Sequence, residues 1–371
     1  MKLLFVCSSL EPGRDGVGDY VRVLASECVA KGHSCSLLAL HDSHLSQATE
    51  THESGGMAVL RLPASEPWPA RLARALEFRQ VCRPDWLSVQ FVPYGFHPKG
   101  IPWSLLKYLP ELTRGVPTHF MLHELWIGAA QGASLKERLV GLIQRTVILQ
   151  MLERVRPRTI STSNAVYIEM LKRHGIDAHL LRLFGNIPIA TGSEKPTAET
   201  AGSQLWTGVF FGSLHPEWEP EPLFSIIQRA AGAAERQVRL VAAGRLGAVG
   251  AKKWDDLTRA YSPRFSFNSL GEQSPEIVST LLLSADFGIA ASPWQLIGKS
   301  GSALAMMEHG LPVIANRDNW QPRGITLTEE PEPLLHRCDE ALEQKLIAGL
   351  RRGVPKNRVG EIADRFVCYL S

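Results

Sequence analysis

Short, nearly unbroken apolar runs alternate along this chain with longer stretches in which apolar residues recur at helical spacing. Lys2 to Cys7 is the first run, followed by the turn-forming residues Ser8, Ser9, Pro12 and Gly13. Val21, Leu24, Ala25 and Cys28 then share one helical face until Lys31-Gly32, where the glycine is a stop signal. Ser34 to Leu40 reads as the next strand. The chain thus opens as strand, glycine-rich loop, helix, strand, the start of a parallel sheet covered by helices on both faces.

The alternation continues with strands over 57–62, 86–91, 118–123, 159–162 and 179–183, and helices over 69–81, 101–114, 134–154 and 164–173. Pro93 to Pro98 reads as a loop, Ser163 as the cap of the helix that follows it, and Gly175 as that helix's end. From Thr191 to Ser203 almost nothing is apolar, which marks a linker. A second run of the same kind follows, with strands over 205–211, 238–243, 265–270, 287–290 and 313–315 and helices over 222–234 and 252–260. Ser274 caps a further helix, with Pro275 in its first position and Glu276 in its first turn. The expected fold class is α/β: two Rossmann-like doubly wound domains facing across a cleft. The expected boundaries are 1–190, a linker at 191–204, and 205–352, with 353–371 a C-terminal helix packing back on the first domain.

Composition narrows the class without choosing a function. With 371 residues the chain is long for one core, and 44% hydrophobic and 21% charged residues suit a globular protein. A formal charge of +3 and a pI near 8.5 are too mild to argue for a nucleic-acid partner, though they permit anionic ligands or lipid surfaces. The six cysteines show no C-x-x-C pair, so neither a zinc site nor a disulfide framework is expected and a reducing cytoplasm is the simpler home. No apolar run reaches membrane-spanning length. The basic helix over 134–154 and the Trp103, Leu105, Leu106 surface read either as solvated faces or as a peripheral contact with the inner face of a membrane.

The candidate chemistry gathers between Pro293 and Ala315, a loop rich in small residues that opens a short helix ending at Gly310. Gly298 and Gly301 permit close approach of a ligand, and the first amides of a helix lack partners inside it. Lys299 and Ser300 add charge and a hydroxyl suited to a phosphate. The other reading is an ordinary strand-loop-helix crossover with a solvated lysine. A nicotinamide site is disfavoured, because Gly16-x-Gly18 has Val21 where a third glycine belongs.

These pieces together resemble the GT-B glycosyltransferases, in particular the retaining family-four group that uses nucleotide sugars. The resemblance rests on Gly16-Val17-Gly18-Asp19-Tyr20, Leu122-His123-Glu124, Ser161 to Ala165, Phe210-Phe211-Gly212-Ser213, Ala285 to Ile289, and Met306 to Ala315. It implies an acceptor-side first domain, a nucleotide-sugar-binding second domain, and sugar transfer to a glycan, lipid-linked or small-molecule acceptor. It also implies no cofactor and no metal, and no Asp-x-Asp donor motif is present. Gly16, Gly18, Gly212, Arg245, Gly298, Ser300, Gly301 and Glu308 would bind the donor. His123 and Lys299 would serve the chemistry, and Asp19, Tyr20 and Tyr94 would face the acceptor. The chain departs from the family at its donor glutamate pair, where Ile297 and Ala305 stand, and no basic pair follows Gly212. Lys299 is expected to replace the missing cations and Glu308 to take the ribose, with an exposed helix-end carboxylate as the alternative for Glu308. Loss of that pair keeps a second reading open, a non-catalytic nucleotide- or glycan-binding scaffold. A third, an epimerase of the same fold, lacks a visible acid–histidine cluster.

Overall fold

The computed structural model describes residues 1–190, 204–327 and 332–371. The linker expected at 191–204 falls outside the described residues except for Gln204. The chain divides into two compact units, one of Met1–Leu183, Pro322–Leu327 and Val359–Ser371, the other of Phe184–Gln321 and Thr328–Arg358.

Unit 1 runs β1 (Lys2–Cys7), α1 (Gly16–Ala30), β2 (Ser34–Asp42), β3 (Thr49–Glu53), β4 (Met57–Pro63), α2 (Trp68–Cys82), β5 (Trp86–Phe91), α3 (Pro93–Phe96), α4 (Leu105–Thr113), β6 (Thr118–Leu122), α5 (Leu135–Val155), β7 (Thr159–Thr162), α6 (Ala165–Lys172) and β8 (His179–Leu180). Its sheet has the order β3-β4-β2-β1-β5-β6-β7-β8, parallel except for β3 against β4. From β1 the chain goes to β2 on one side, and later to β5 on the other. The order therefore reverses between β1 and β5, which opens a crevice at their carboxyl ends where ligands bind in such sheets.

Unit 2 runs β9 (Leu205–Phe211), α7 (Leu223–Ala233), β10 (Gln237–Ala243), α8 (Gly247–Tyr261), β11 (Ser266–Gly271), α9 (Pro275–Ser284), β12 (Phe287–Ala290), α10 (Gly301–Glu308), β13 (Val313–Ala315), β14 (Leu335–Arg337) and α11 (Leu342–Ile347). Its sheet is parallel in the order β11-β10-β9-β12-β13-β14, reversing between β9 and β12. The last helix, α12 (Val359–Leu370), belongs to unit 1. There Phe366 packs on Phe5 with ring centres 5.5 Å apart and on His119 at 5.2 Å. Burying such a ring is worth about 2–3 kcal/mol.

Most strand bounds follow the apolar runs, and the departures have local causes. The loop expected at 93–98 begins with the helical turn α3, which Pro93 starts. The helix expected from 101 starts only at Leu105, since Pro102 disfavours helical geometry at Ile101. Asn164, not Ser163, caps α6, accepting from the Tyr167 amide at 3.0 Å. The strand expected over 179–183 is paired only at His179–Leu180. Helix α8 starts at Gly247, ahead of its apolar signal, because its first turn is made of small residues whose Gly250 packs on Leu214. Among the described residues no helix is long and apolar enough to cross a membrane.

Candidate functional site

The reversal point of unit 2 brings three strand-to-helix connections together. Gly212, Gly244 and Gly271 end β9, β10 and β11 with φ of 84°, 95° and 65°, the left-handed region that side chains resist. The Gly212 amide donates to Ala243 O at 2.9 Å and the Gly244 amide to Gly271 O at 2.7 Å. A Cβ on Gly212 would stand 3.3 Å from Ser302 Cβ, so the glycine lets the β9 loop lie against the first turn of α10. Ser300 caps that turn, accepting from the Ala303 amide, and its hydroxyl lies 3.2 Å from that of Ser302. Gly301 has open space where a side chain would be. The stretch Trp294–Lys299, expected to be loop, is a 3-10 turn that includes Gly298. These features leave a helix start with short side chains and amides facing outward, suited to an anion.

Positive charge reaches this place from residues far apart in sequence. Ring burial holds the His215 pKa below its usual value, and the nearby charges of Arg317, Lys253 and Lys299 push the same way, against Glu217. Arg317 is 8% exposed and pairs with Glu217, while Lys253 donates to Pro216 O at 2.8 Å and to Glu219 at 3.0 Å. Trp218, fully buried against Phe210 and Phe224, anchors the loop that carries His215. Lys253 lies on α8, Arg317 just past β13 and Lys299 at the end of the 3-10 turn. The local pattern discloses Lys299, in the loop before α10, but neither Arg317 nor Lys253. Arg245 is exposed and forms an ion pair with Glu272.

Glu308 is not the exposed helix-end carboxylate offered as an alternative. It is 3% exposed, and burial raises its pKa to about 7, against backbone hydrogen bonds from Gly185 and Arg358. The two positions of the lost glutamate pair are closed as well. Ile297 and Ala305 are buried, and a Cβ on Gly185 would fall 2.5 Å from Ala305 Cα, so the backbone of that segment lies directly on α10.

In unit 1 the residues singled out gather at the β1–β5 reversal. Asp15 caps α1, accepting from Val17 and Gly18 amides at 3.0 and 2.7 Å. Asp19, in the first turn, accepts from the Gly13 amide at 3.0 Å and closes the β1–α1 loop. Gly18 is required by space, since a Cβ there would meet Ser9 O at 2.6 Å, whereas Gly16 faces nothing within 4 Å. Tyr20 is buried edge-on against His123, with ring centres 5.1 Å apart. Tyr94 is 42% exposed, with its hydroxyl accepting from Gln144 at 3.1 Å.

His123 ends a polar chain that the sequence does not reveal. Its Nε2 lies 2.8 Å from Gln90 Oε1, Gln90 Nε2 donates to Ser88 Oγ at 2.7 Å, Ser88 Oγ lies 2.9 Å from His119 Nδ1, and His119 Nε2 lies 3.0 Å from Ser161 Oγ. An amide nitrogen only donates and its oxygen only accepts, which sets the bonds to Gln90, and the arrangement in which the Ser88 hydroxyl also uses its proton within the chain sets the rest. His123 Nε2–H donates to Gln90, Ser88 O–H donates to His119 Nδ1, and His119 Nε2–H donates to Ser161. Burial lowers the pKa of both histidines to about 3, helped at His119 by the charges of its histidine neighbours. His123 is therefore neutral, with Nδ1 its remaining acceptor. Gln90 is the residue sequence reasoning missed, and its signal was a polar side chain in the middle of an apolar strand.

Among the described residues no group of three or more His, Cys, Asp or Glu side chains is placed to hold a metal ion. Comparison with solved structures shows the fold of the GT-B glycosyltransferases. The chain is similar to the catalytic domain of starch synthase IV from Arabidopsis thaliana, solved with ADP and acarbose, at TM-score 0.53 and 12% identity over 100% of this chain and 99% of that one. It is also similar to WaaG, a glycosyltransferase involved in lipopolysaccharide biosynthesis, at TM-score 0.53 and 13% identity over 99% and 95% of the two chains. An α-glucosyltransferase solved with UDP gives TM-score 0.55 and 9% identity over 99% and 92%. Neither a protein-family model nor a curated protein matches the sequence. At such identities the likeness is one of fold, and the reaction has to be argued from residues.

Proposed function

We propose that this protein is a glycosyltransferase that moves a sugar from a nucleoside diphosphate to a glycan, lipid-linked or small-molecule acceptor, with retention at the anomeric carbon. One observation carries the reading. At the reversal point of unit 2, the Gly212 turn lies against the first turn of α10, and the charges of Lys299, Arg317 and Lys253 all act on His215 in the loop that follows it, Arg317 and Lys253 being paired there with Glu217 and Glu219.

That arrangement suits a departing diphosphate. As the bond between the sugar and the phosphate oxygen breaks, the electron pair stays with the diphosphate, and preorganised amides and cations stabilise it without reorganising. Lys299 supplies charge from the loop itself, so the reading needs neither metal nor cofactor. In unit 1, the neutral His123 accepts a hydrogen bond from a sugar hydroxyl through Nδ1, and Asp19, Tyr20 and Tyr94 lie on the acceptor side. The free cysteines fit a cytoplasmic setting.

Calorimetric titration with UDP, GDP and ADP tests the nucleotide site. Lys299→Ala should weaken the preferred diphosphate about tenfold or more, the value of one charged hydrogen bond. Equal affinity in the variant would remove Lys299 from the site. Ile297 and Ala305, both buried, favour a second reading, a nucleotide-binding protein without transfer, because neither position supplies a carboxylate. A panel of UDP-, GDP- and ADP-sugars decides between them. Release of diphosphate from any one supports the transferase, and binding without turnover across the panel supports the scaffold.

A further inference from the structure

Unit 1 carries a second basic site that the transferase reading does not use. Between α5, α6 and the segment Pro322–Leu327 lies a cavity of about 370 Å³ lined by Arg138, Arg145, Arg173, Arg323, His174 and Trp126, among others. It contains four guanidinium groups, and among the described residues no carboxylate lines it. Arg173 donates to the carbonyls of Arg323, at 2.9 Å, and Gly324. Arg323 donates to those of Gly128 and Ala130 at 3.3 and 3.2 Å. Carbonyl partners orient these two side chains and leave their charge unneutralised. Burial and the Arg145 charge both lower the His174 pKa, and its ring sits edge-on to Trp126 at 5.5 Å.

The wall of the cavity is built by close backbone contact. A Cβ on Gly141 would stand 1.9 Å from Ile127 O, and one on Gly128 would stand 2.6 Å from Glu137 O. Gln144 Oε1 accepts from the Ile127 amide at 3.0 Å. These contacts press α5 against the loop that carries Trp126. Like charges gathered this way repel one another unless a ligand of opposite charge sits among them, and planar guanidinium groups match phosphate oxygens in pairs.

We infer that this cavity is a binding site for a phosphate- or pyrophosphate-bearing ligand. Leu142, which lines it, continues an exposed apolar row through Leu139 and Leu135 on the same face of α5. The phosphate therefore has two possible sources, a soluble compound or the headgroup of a lipid whose chains lie along that row. The inference does not depend on sugar transfer.

The test is residue-resolved modification of arginines by phenylglyoxal in the full chain, read by mass spectrometry. Inorganic pyrophosphate should slow modification of Arg138 and Arg145 about tenfold at saturation. Protection by phosphatidylglycerol vesicles but not by pyrophosphate would assign the phosphate to a membrane lipid, and also supports the site. Equal rates with and without both probes would overturn the inference. So would equal protection by vesicles of phosphatidylcholine alone, which carry no net charge. The double variant Arg138→Ala/Arg145→Ala should melt like the parent and bind the protecting probe about tenfold more weakly. Unchanged affinity in a folded double variant would likewise overturn it.

Discussion

Gly310→Ala should cost the protein about 3–5 kcal/mol, enough to lower the unfolding temperature of unit 2 by about 10 °C. Gly310 follows the last residues of α10 with φ of 70°. Its amide donates to Met307 O at 2.9 Å, and the Leu311 amide donates to Met306 O at 3.0 Å, the paired bonds of a Schellman ending. A side chain in that conformation costs about 1–2 kcal/mol by itself. The surroundings add more, because a Cβ would stand 2.3 Å from Gly353 O, and the Gly353 amide donates back to Gly310 O at 2.9 Å. Both atoms are backbone and neither can swing aside. Gly349→Ala separates the two effects, since Gly349 has φ of 84° and nothing within 4 Å of its Cβ position. Scanning calorimetry of both variants should show Gly310→Ala melting well below Gly349→Ala, and coincident melting curves would refute the packing argument. The site is affected too. Arg352, donating to Leu282 O at 2.9 Å and His309 O at 2.8 Å, clamps the same end of the helix whose other end faces the proposed diphosphate.

Gln90→Leu is the second large effect, expected at about 2–4 kcal/mol in unit 1 by urea unfolding. Leucine fits the volume but leaves the His123 Nε2–H without its acceptor and removes a donor from Ser88, both in a fully buried setting. Burial of the same two histidines makes unit 1 acid-sensitive. His119 and His123 titrate near pH 3 in the folded state, against about 6.5 when unfolded. Their contribution is fully present above pH 6.5 and is lost as pH falls from there toward 3, because the unfolded chain binds protons first. Glu308 acts in the opposite sense. Its folded pKa of about 7 lies above the usual carboxyl value, so stability from that group declines as pH rises from about 4.5 through 7. Hydrogen exchange at pH 5, corrected for intrinsic rates, should therefore show β6 and β7 losing protection relative to pH 7.5. Protection of those strands independent of pH would count against neutral burial of the two histidines.

Much of the fold was legible because its strands are covered on both faces and appear as continuous apolar runs. Bounds such as Lys2–Cys7, Trp86–Phe91 and Leu205–Phe211 follow directly from them. The strand Thr49–Glu53 escaped for the opposite reason. It is an edge strand of Thr, Glu and His, charged where an exposed edge benefits from charge, and it shows no apolar face. At the candidate site, local signals sufficed for the Gly212 turn and for the loop before α10, because turns and helix starts are written in neighbouring residues. Arg317, Lys253 and Gln90 could not be read that way. They matter through contacts made across the sheet by residues tens of positions apart.

The contact of Gly185 with Ala305 bears on how this chain can change. A longer side chain at 305 would crowd the main chain of Gly185, whose own Cβ position falls 2.5 Å from Ala305 Cα. The 184–190 stretch would first have to move off α10, and that stretch is also hydrogen-bonded to Glu308. Added side-chain volume at 305 is therefore costly until that stretch moves, whereas the exposed His215 can change without displacing backbone.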